Sequence, residues 1–579
     1  RVLEECAAEW GSYSWHGWEF PPPDWRVGGD CDTADLINCD DNGLITEMLI
    51  DNSPIPDWQY DYRSNDSPPP LTGSIPTALG TLSSLTCLNL RHNALEGPIP
   101  ASFTALTSLA RLDLSYNLLS DAIPPDISAC TALQELDISN NQLSGAIPPG
   151  IGVLTSLCYL RLSNNQLSGA IPPPIGALTS LTYLSLSNNQ LSGDIPPSIS
   201  TLTSLKVMDL ENNRLGGTIP DSLSALTNLI YLSMGNNELE GPIPANLSSF
   251  TKICTLMLYD NQLSGSIPAD IGNLAPLEKL MLGKNTLSGA IPTSIGALTN
   301  LCDLYLNDNK LEGSIPSTIA LLQKLSWLSL SHNSLTGSLD DLSRLTNLQG
   351  LELSNNAIIG PIPAALRDLV HLEYLLISNN NLTGTIPAFI LSLFSLQTLD
   401  LSNNNLSGII PPSISGLNSL TALSLGSNAL ESPIPRSLSA MESLSFLDLS
   451  NNRFSDGIST FIRVQVEHLR LGHNNITGSI PASITSLTSL TYLDLSYTLL
   501  TGNIPTAITE MQHLLRLDLR IPTLTGSIPA SMGAMLNLQY LYVNHNATPC
   551  GYGKCEVEQY SGTAFCRACT DFCDMCSRA

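Results

Sequence analysis

An asparagine recurs every 24 residues through much of this chain, at Asn93, Asn117, Asn141, Asn165, Asn189, Asn213, Asn237, Asn261, Asn285, Asn309 and Asn333. Around each stands the phrase LxxLxLxxNxLxGxIP, complete at Leu181 to Pro196 as LTYLSLSNNQLSGDIP and at Leu396 to Pro411 as LQTLDLSNNNLSGIIP. A period this strict leaves few folds open. The leucines of LxL fall on one side of a short strand, because side chains alternate along it, and a single repeat cannot cover them. Neighbouring repeats must therefore stack into a continuous core.

The other residue types of the phrase have mechanical roles. An inward asparagine amide carries donors and an acceptor, so it can satisfy backbone groups buried where the chain leaves the strand. Stacked repeats turn these amides into a ladder. The Gly and Ile-Pro that follow bend the chain and keep the far side free of long helices, since proline fixes φ and donates no hydrogen bond. The beat continues through Asn356, Asn380, Asn404, Asn428, Asn452 and Asn474 to Asn546. Thr498 and Pro522 occupy two rungs without an amide, which predicts loosened or re-routed backbone between about Leu495 and Thr525.

With its 24-residue length, its GxIP turn and a Trp25 to Cys39 segment leading into the first strand, the pattern resembles the plant-type leucine-rich repeats. These occur in receptor-like kinase ectodomains, receptor-like proteins and polygalacturonase-inhibiting proteins. The resemblance implies a repeat solenoid, mainly β, with a parallel concave sheet and a short 3-10 or irregular convex side. The expected organisation is an N-terminal cap over 1–70, about 20 repeats over 71–546, and a cysteine-rich tail over 547–579. The resemblance further implies ligand contact on the concave or lateral faces. CGYGKC at Cys550 to Cys555 looks like the family's C-terminal cap pair. The Cys566 to Cys576 run, the Ser53 to Pro70 insertion and the aromatic opening depart from that pattern, and point to an algal or protist relative as the alternative.

A formal charge of −27 argues against nucleic-acid phosphate as a partner and disfavours anionic membranes. No run of 18 apolar residues occurs, so no transmembrane segment is expected in the sequence. Opening at Arg1 without methionine, the chain reads as a mature product or a trimmed one. Its eight histidines are scattered, with no zinc-protease, phosphate-loop or nucleophile-elbow motif, so no catalytic residue, cofactor or metal is expected.

Cysteines and sequons indicate a secreted or cell-surface glycoprotein. Asn-x-Ser/Thr acceptors stand at Asn65, Asn246, Asn381, Asn405 and Asn475, and Asn546 is a poorer one because it is itself a rung. Cys87, Cys130, Cys158, Cys254 and Cys302 lie within repeats, too far apart along the stack to pair, and are expected to be free, buried thiols. Cys31 and Cys39 are close enough in sequence to pair, leaving Cys6 to exchange into that cap or bond another chain. Cys550, Cys555, Cys566, Cys569, Cys573 and Cys576 allow fifteen pairings; CRACTDFCDMC could bind zinc, but disulfides are the default in a secreted chain.

The non-leucine positions around LxL face solvent and read as vertical columns, mostly Ser, Thr, Asp, Asn and Gln. Tyr231, Met257, Tyr259, Lys279, Met281, Asp303, Tyr305 and Trp327 break that background as one candidate patch, because aromatic side chains supply much hot-spot energy. A second group, Arg470, His473, Tyr497, Arg516 and Arg520, forms a cationic island near Asp494 and Asp518. The expected role is recognition of an extracellular protein, peptide or glycan. The alternative is a structural glycoprotein of a matrix, wall or filament, assembling head to tail through its caps.

Overall fold

A computed structural model describes residues 14–15, 18–19, 37–40, 44–50, 70–458, 466–543 and 556–557. The chain divides into two compact units, Arg1–Ser288 and Gly289–Ala579, so the division falls inside the repeat array. Each unit is a leucine-rich-repeat stack.

In the first unit the LxL segments form parallel strands at Ile45–Leu49, Cys87–Asn89, Arg111–Asp113, Glu135–Asp137, Tyr159–Arg161, Tyr183–Ser185, Val207–Asp209, Tyr231–Ser233, Thr255–Met257 and Lys279–Met281. The first of these, Ile45–Leu49, caps the sheet, and Ile37–Cys39 runs antiparallel against its outer side. Covering the edge in this way removes a template for pairing with another chain. Register advances by one repeat per strand: Leu136 pairs with Leu112 on one side and Leu160 on the other. Equivalent positions of successive repeats therefore stand side by side.

The second unit repeats the plan at Asp303–Tyr305, Trp327–Ser329, Gly350–Glu352, Tyr374–Leu376, Thr398–Asp400, Ala422–Ser424, Phe446–Asp448, His468–Arg470, Tyr492–Asp494, Arg516–Leu519 and Tyr540–Val543. Glu556–Val557 closes the last edge antiparallel to Leu541–Tyr542. Between Asn333 and Asn356 the lost residue comes out of the turn, where Leu339 replaces the usual proline before the 3-10 helix Asp340–Arg344, so Trp327 still pairs with Gly350.

The far side of each repeat carries a five-residue 3-10 helix. Pro172, in extended backbone at φ −68°, leads into Pro173–Ala177. Short parallel strands such as Gln166–Gly169 and Gln190–Asp194 form interrupted secondary sheets after the rungs. Gly169 sits there at φ +75°, a conformation costly for other residues. The core lies between the two sides and is almost entirely Leu and Ile, with Phe103, Phe250 and Phe454 fully buried.

The asparagine ladder bridges repeats. The Asn165 amide donates to the carbonyls of Ile138 at 3.0 Å, Leu162 at 3.2 Å and Ser163 at 3.3 Å, and its Oδ1 accepts the Leu143 N–H at 2.9 Å. The residue before each rung adopts left-handed backbone, from His92 at φ +53° to Tyr497 at φ +52°. Asparagine tolerates this conformation best, which explains the frequent Asn-Asn pair.

At Thr498 the rung reduces to one side-chain bond, from Oγ1 to the Leu495 carbonyl. At Pro522 the turn is re-routed: the Ile521 N–H donates back to Leu519, and Ile521 lacks the left-handed conformation found before the other rungs.

Candidate functional site

Side chains flanking each LxL lie on the solvent face of the strands, because the leucines take the core side. In the first unit Tyr231 and Met257 lie on adjacent strands, and Met257 pairs in register with Met281. Lys279 shares its strand with Met281. Tyr259 lies just beyond Thr255–Met257; a Cβ on Gly235 would meet its ring at 2.5 Å, and its hydroxyl donates to the Glu211 carboxylate two repeats back. All five side chains are half-buried rather than fully exposed. Burial pushes the Tyr231 hydroxyl up to about 12, and it raises Tyr259 as well, with the Glu211 carboxylate adding to the effect.

In the second unit Asp303, Tyr305 and Trp327 occupy the first two strands, and the structure adds two residues that column reading passed over. The Trp327 ring lies over Gly350, where a Cβ would meet Cδ2 at 2.5 Å. This brings it against Tyr374, with centroids 5.5 Å apart, while Tyr305 stacks on the opposite side at 6.5 Å. Three rings thus make one shelf across four strands. The Trp327 indole Nε1 is buried and has no hydrogen-bond partner among the described residues. Beside the shelf, Glu352 accepts the Ser329 hydroxyl at 2.6 Å and Glu373 accepts the Gln397 amide at 2.8 Å. Burial pushes the Tyr305 hydroxyl up to about 12, helped by the Asp303 and Glu352 carboxylates. The available signal was the lone glycine in this column of the second unit, Gly350, between Trp327 and Tyr374.

The cationic island is internally organised. Arg470 lies over the rings of Phe446 and Tyr492 at 5.5 and 5.1 Å, and its Nη1 meets Asp448 at 3.4 Å. Arg516 packs on Tyr492, Tyr540 and Tyr542. Arg520 grips the buried Asp518 carboxylate in a two-pronged pair and covers Tyr497, which stacks on His473 at 4.4 Å. Both expected neighbours are present: Arg520 pairs with Asp518, and Arg470 stands in register beside Asp494 while its ion pair goes to Asp448.

Face carboxylates elsewhere hold turns. Asp113 accepts the N–H and hydroxyl of Ser115 at 2.9 and 2.6 Å, and Asp137 does the same for Ser139 at 3.0 and 2.6 Å. Burial raises Asp113 despite the opposing bonds from Ser115. Among the described residues no group of His, Cys, Asp and Glu could hold a metal ion, and no helix is long and apolar enough to cross a membrane.

Of the sequons, Asn246, Asn381, Asn405 and Asn475 are exposed, and Asn246 donates to the Asp221 carbonyl at 2.8 Å. Asn65 and Asn546 lie outside the described residues, as do Cys6, Cys31 and the six C-terminal cysteines. Cys39 is disulfide-bonded. The five repeat cysteines are free, but only Cys87 and Cys130 are buried. Cys158 is exposed, because it occupies a solvent-side position just before its strand, and Cys254 and Cys302 are intermediate. The expectation of five buried thiols is corrected accordingly.

The family model described as Leucine rich repeat matches residues 83–143, 179–239, 275–335 and 394–454. The model for Leucine Rich repeats (2 copies) matches 155–201, and the single-repeat model matches 252–274, 347–369, 371–393, 465–487 and 489–511. No curated protein matches. Among solved structures, the Arabidopsis receptor kinase HAESA, in complex with the peptide hormone IDA and the co-receptor SERK1, is 33% identical with a TM-score of 0.77, over 89% of this chain and 86% of that one. The plant peptide hormone receptor RGFR1 in complex with RGF2 is 33% identical with a TM-score of 0.75, over 82% and 81%. The PEPR1–AtPEP1 complex gives 32% and 0.73, over 88% and 77%.

Proposed function

Since the chain belongs to the leucine-rich repeat family, whose fold supplies a long strand face, we propose that it is an extracellular, non-enzymatic recognition protein. Its partner is a peptide, protein or glycan, met on the strand face. The observation that carries this reading is the shelf of Tyr305, Trp327 and Tyr374, three rings set among polar columns. Aromatic side chains presented together in this way are the usual source of binding energy at interfaces. The similar solved structures support the reading, since one is a plant peptide hormone receptor in complex with RGF2 and another a receptor kinase in complex with a peptide hormone. The exposed sequons at Asn246, Asn381, Asn405 and Asn475 support an extracellular setting.

Assembly through the caps is the weaker reading. The outer strand edges carry antiparallel partners at Ile37–Cys39 and Glu556–Val557, which disfavours head-to-tail pairing through those edges. The test is capture from the protein's own extracellular milieu by wild type and by a Tyr305→Ala, Trp327→Ala double variant, with light scattering for size. Loss of a captured partner in the variant supports recognition. Undiminished capture, or reducible polymers in place of a monomer, refutes it.

A further inference from the structure

The strand face of the second unit has two differently charged regions. From Phe446 to Tyr542 two face carboxylates meet an arginine of the chain itself, Asp448 with Arg470 and Asp518 with Arg520. From Cys302 to Asn403 the strand-face positions include Asp308, Glu352, Glu373 and Asp400 with no lysine or arginine. Among the described residues Glu352, Glu373 and Asp400 take hydrogen bonds from Ser329, Gln397 and Ser402, and none meets a cationic side chain.

The aromatic shelf lies in the middle of this acidic stretch. Its ring faces carry negative potential, and the carboxylates around them add to it, so a positive group gains from both sources. A half-buried platform desolvates that group in part, which strengthens both terms.

We propose that the Tyr305, Trp327, Tyr374 shelf binds a basic segment of an extended peptide, with a lysine or arginine seated over Trp327 and its charge directed to Glu352. The inference rests on the recognition reading and specifies its chemistry. Gly350 is the residue that opens the seat, because any larger side chain there would occupy the place of the indole. The arginine region supplies a contrast within the same unit: there the cations belong to the protein, whereas on the shelf the cation belongs to the partner.

The experiment uses the whole chain and three synthetic probe sets: arginine- and lysine-containing decapeptides, the same peptides with glutamate at the basic positions, and neutral oligosaccharides. Affinity is measured by calorimetry at two salt concentrations. The basic peptides are expected to bind, more weakly at high salt, and to lose about tenfold or more in affinity with Trp327→Ala or Glu352→Gln. Trp327→Phe, with less disturbance of packing, should lose less. Asp113→Asn, a carboxylate of the first unit, controls for general attraction to an acidic protein and should leave affinity unchanged. Equal weakening by Asp113→Asn, or equal binding of the glutamate peptides, overturns the cationic seat. Oligosaccharide binding that Trp327→Ala abolishes also overturns it while leaving recognition by the shelf intact. If no probe and no native partner responds to Trp327→Ala, both readings fall together.

Discussion

Replacing one rung of the ladder tests the physical basis of the fold. In Asn165→Ala the Leu143 N–H loses its acceptor and the Ile138 carbonyl loses its donor, both inside the stack. The Leu162 and Ser163 carbonyls lose the longer, shared bonds at 3.2 and 3.3 Å, which are worth less. Leaving a buried polar group unpaired costs about 1–3 kcal/mol, so the two principal losses come to about 2–6 kcal/mol. Repeat arrays open locally, so a global melting curve would blur the effect. Amide hydrogen exchange at Leu143 and its neighbours reads it directly. About 2 kcal/mol corresponds to exchange roughly thirtyfold faster at Leu143, with little change several repeats away. Unaltered protection at Leu143, or uniform acceleration along the whole first unit, would falsify the view that each amide bridges two particular turns.

Other tests follow from particular contacts. Thr498→Asn restores a full rung and is expected to slow exchange at Ile476, whereas the unaltered Leu495–Thr525 segment should exchange faster than the central repeats. Gly350→Ala keeps the strand but displaces the indole of Trp327, so near-ultraviolet dichroism should change while far-ultraviolet dichroism does not. Burial raises the Asp113 and Asp494 carboxyls, so the folded state holds their protons to higher pH than the unfolded chain. Their penalty is full at neutral pH and relieved as pH falls through the raised folded values; Asp113→Asn should therefore stabilise at pH 7 and flatten that part of the pH profile. Native alkylation should modify Cys158 first and leave Cys87 and Cys130, both buried and both with thiols raised by burial, until unfolding.

The asparagine period made the architecture legible because it reports a backbone requirement that every repeat shares. Local chemistry at Thr498 and Pro522 was equally readable, since a residue that lacks the amide cannot make the amide's bonds. The shelf was only half readable. Tyr305 and Trp327 stood out in their columns, but Tyr374 passed for an ordinary tyrosine, because its role depends on where the Trp327 ring leans. That direction is decided by the missing side chain at Gly350, one repeat away. Exposure of Cys158 was misjudged for a related reason: a small hydrophobic residue was assigned to the core by type, although its position beside the strand points to solvent.

The bonds of Asn165 reach only into the turn before its own and the turn it belongs to. Nothing in that geometry depends on how many turns precede or follow. Whole 24-residue units can thus be duplicated or deleted in a gene without inventing new contacts, while a single-codon insertion inside LxL would flip the leucines outward. Change by entire units slides distant surface features nearer or farther in fixed steps, so the spacing of a recognition surface can evolve separately from its chemistry.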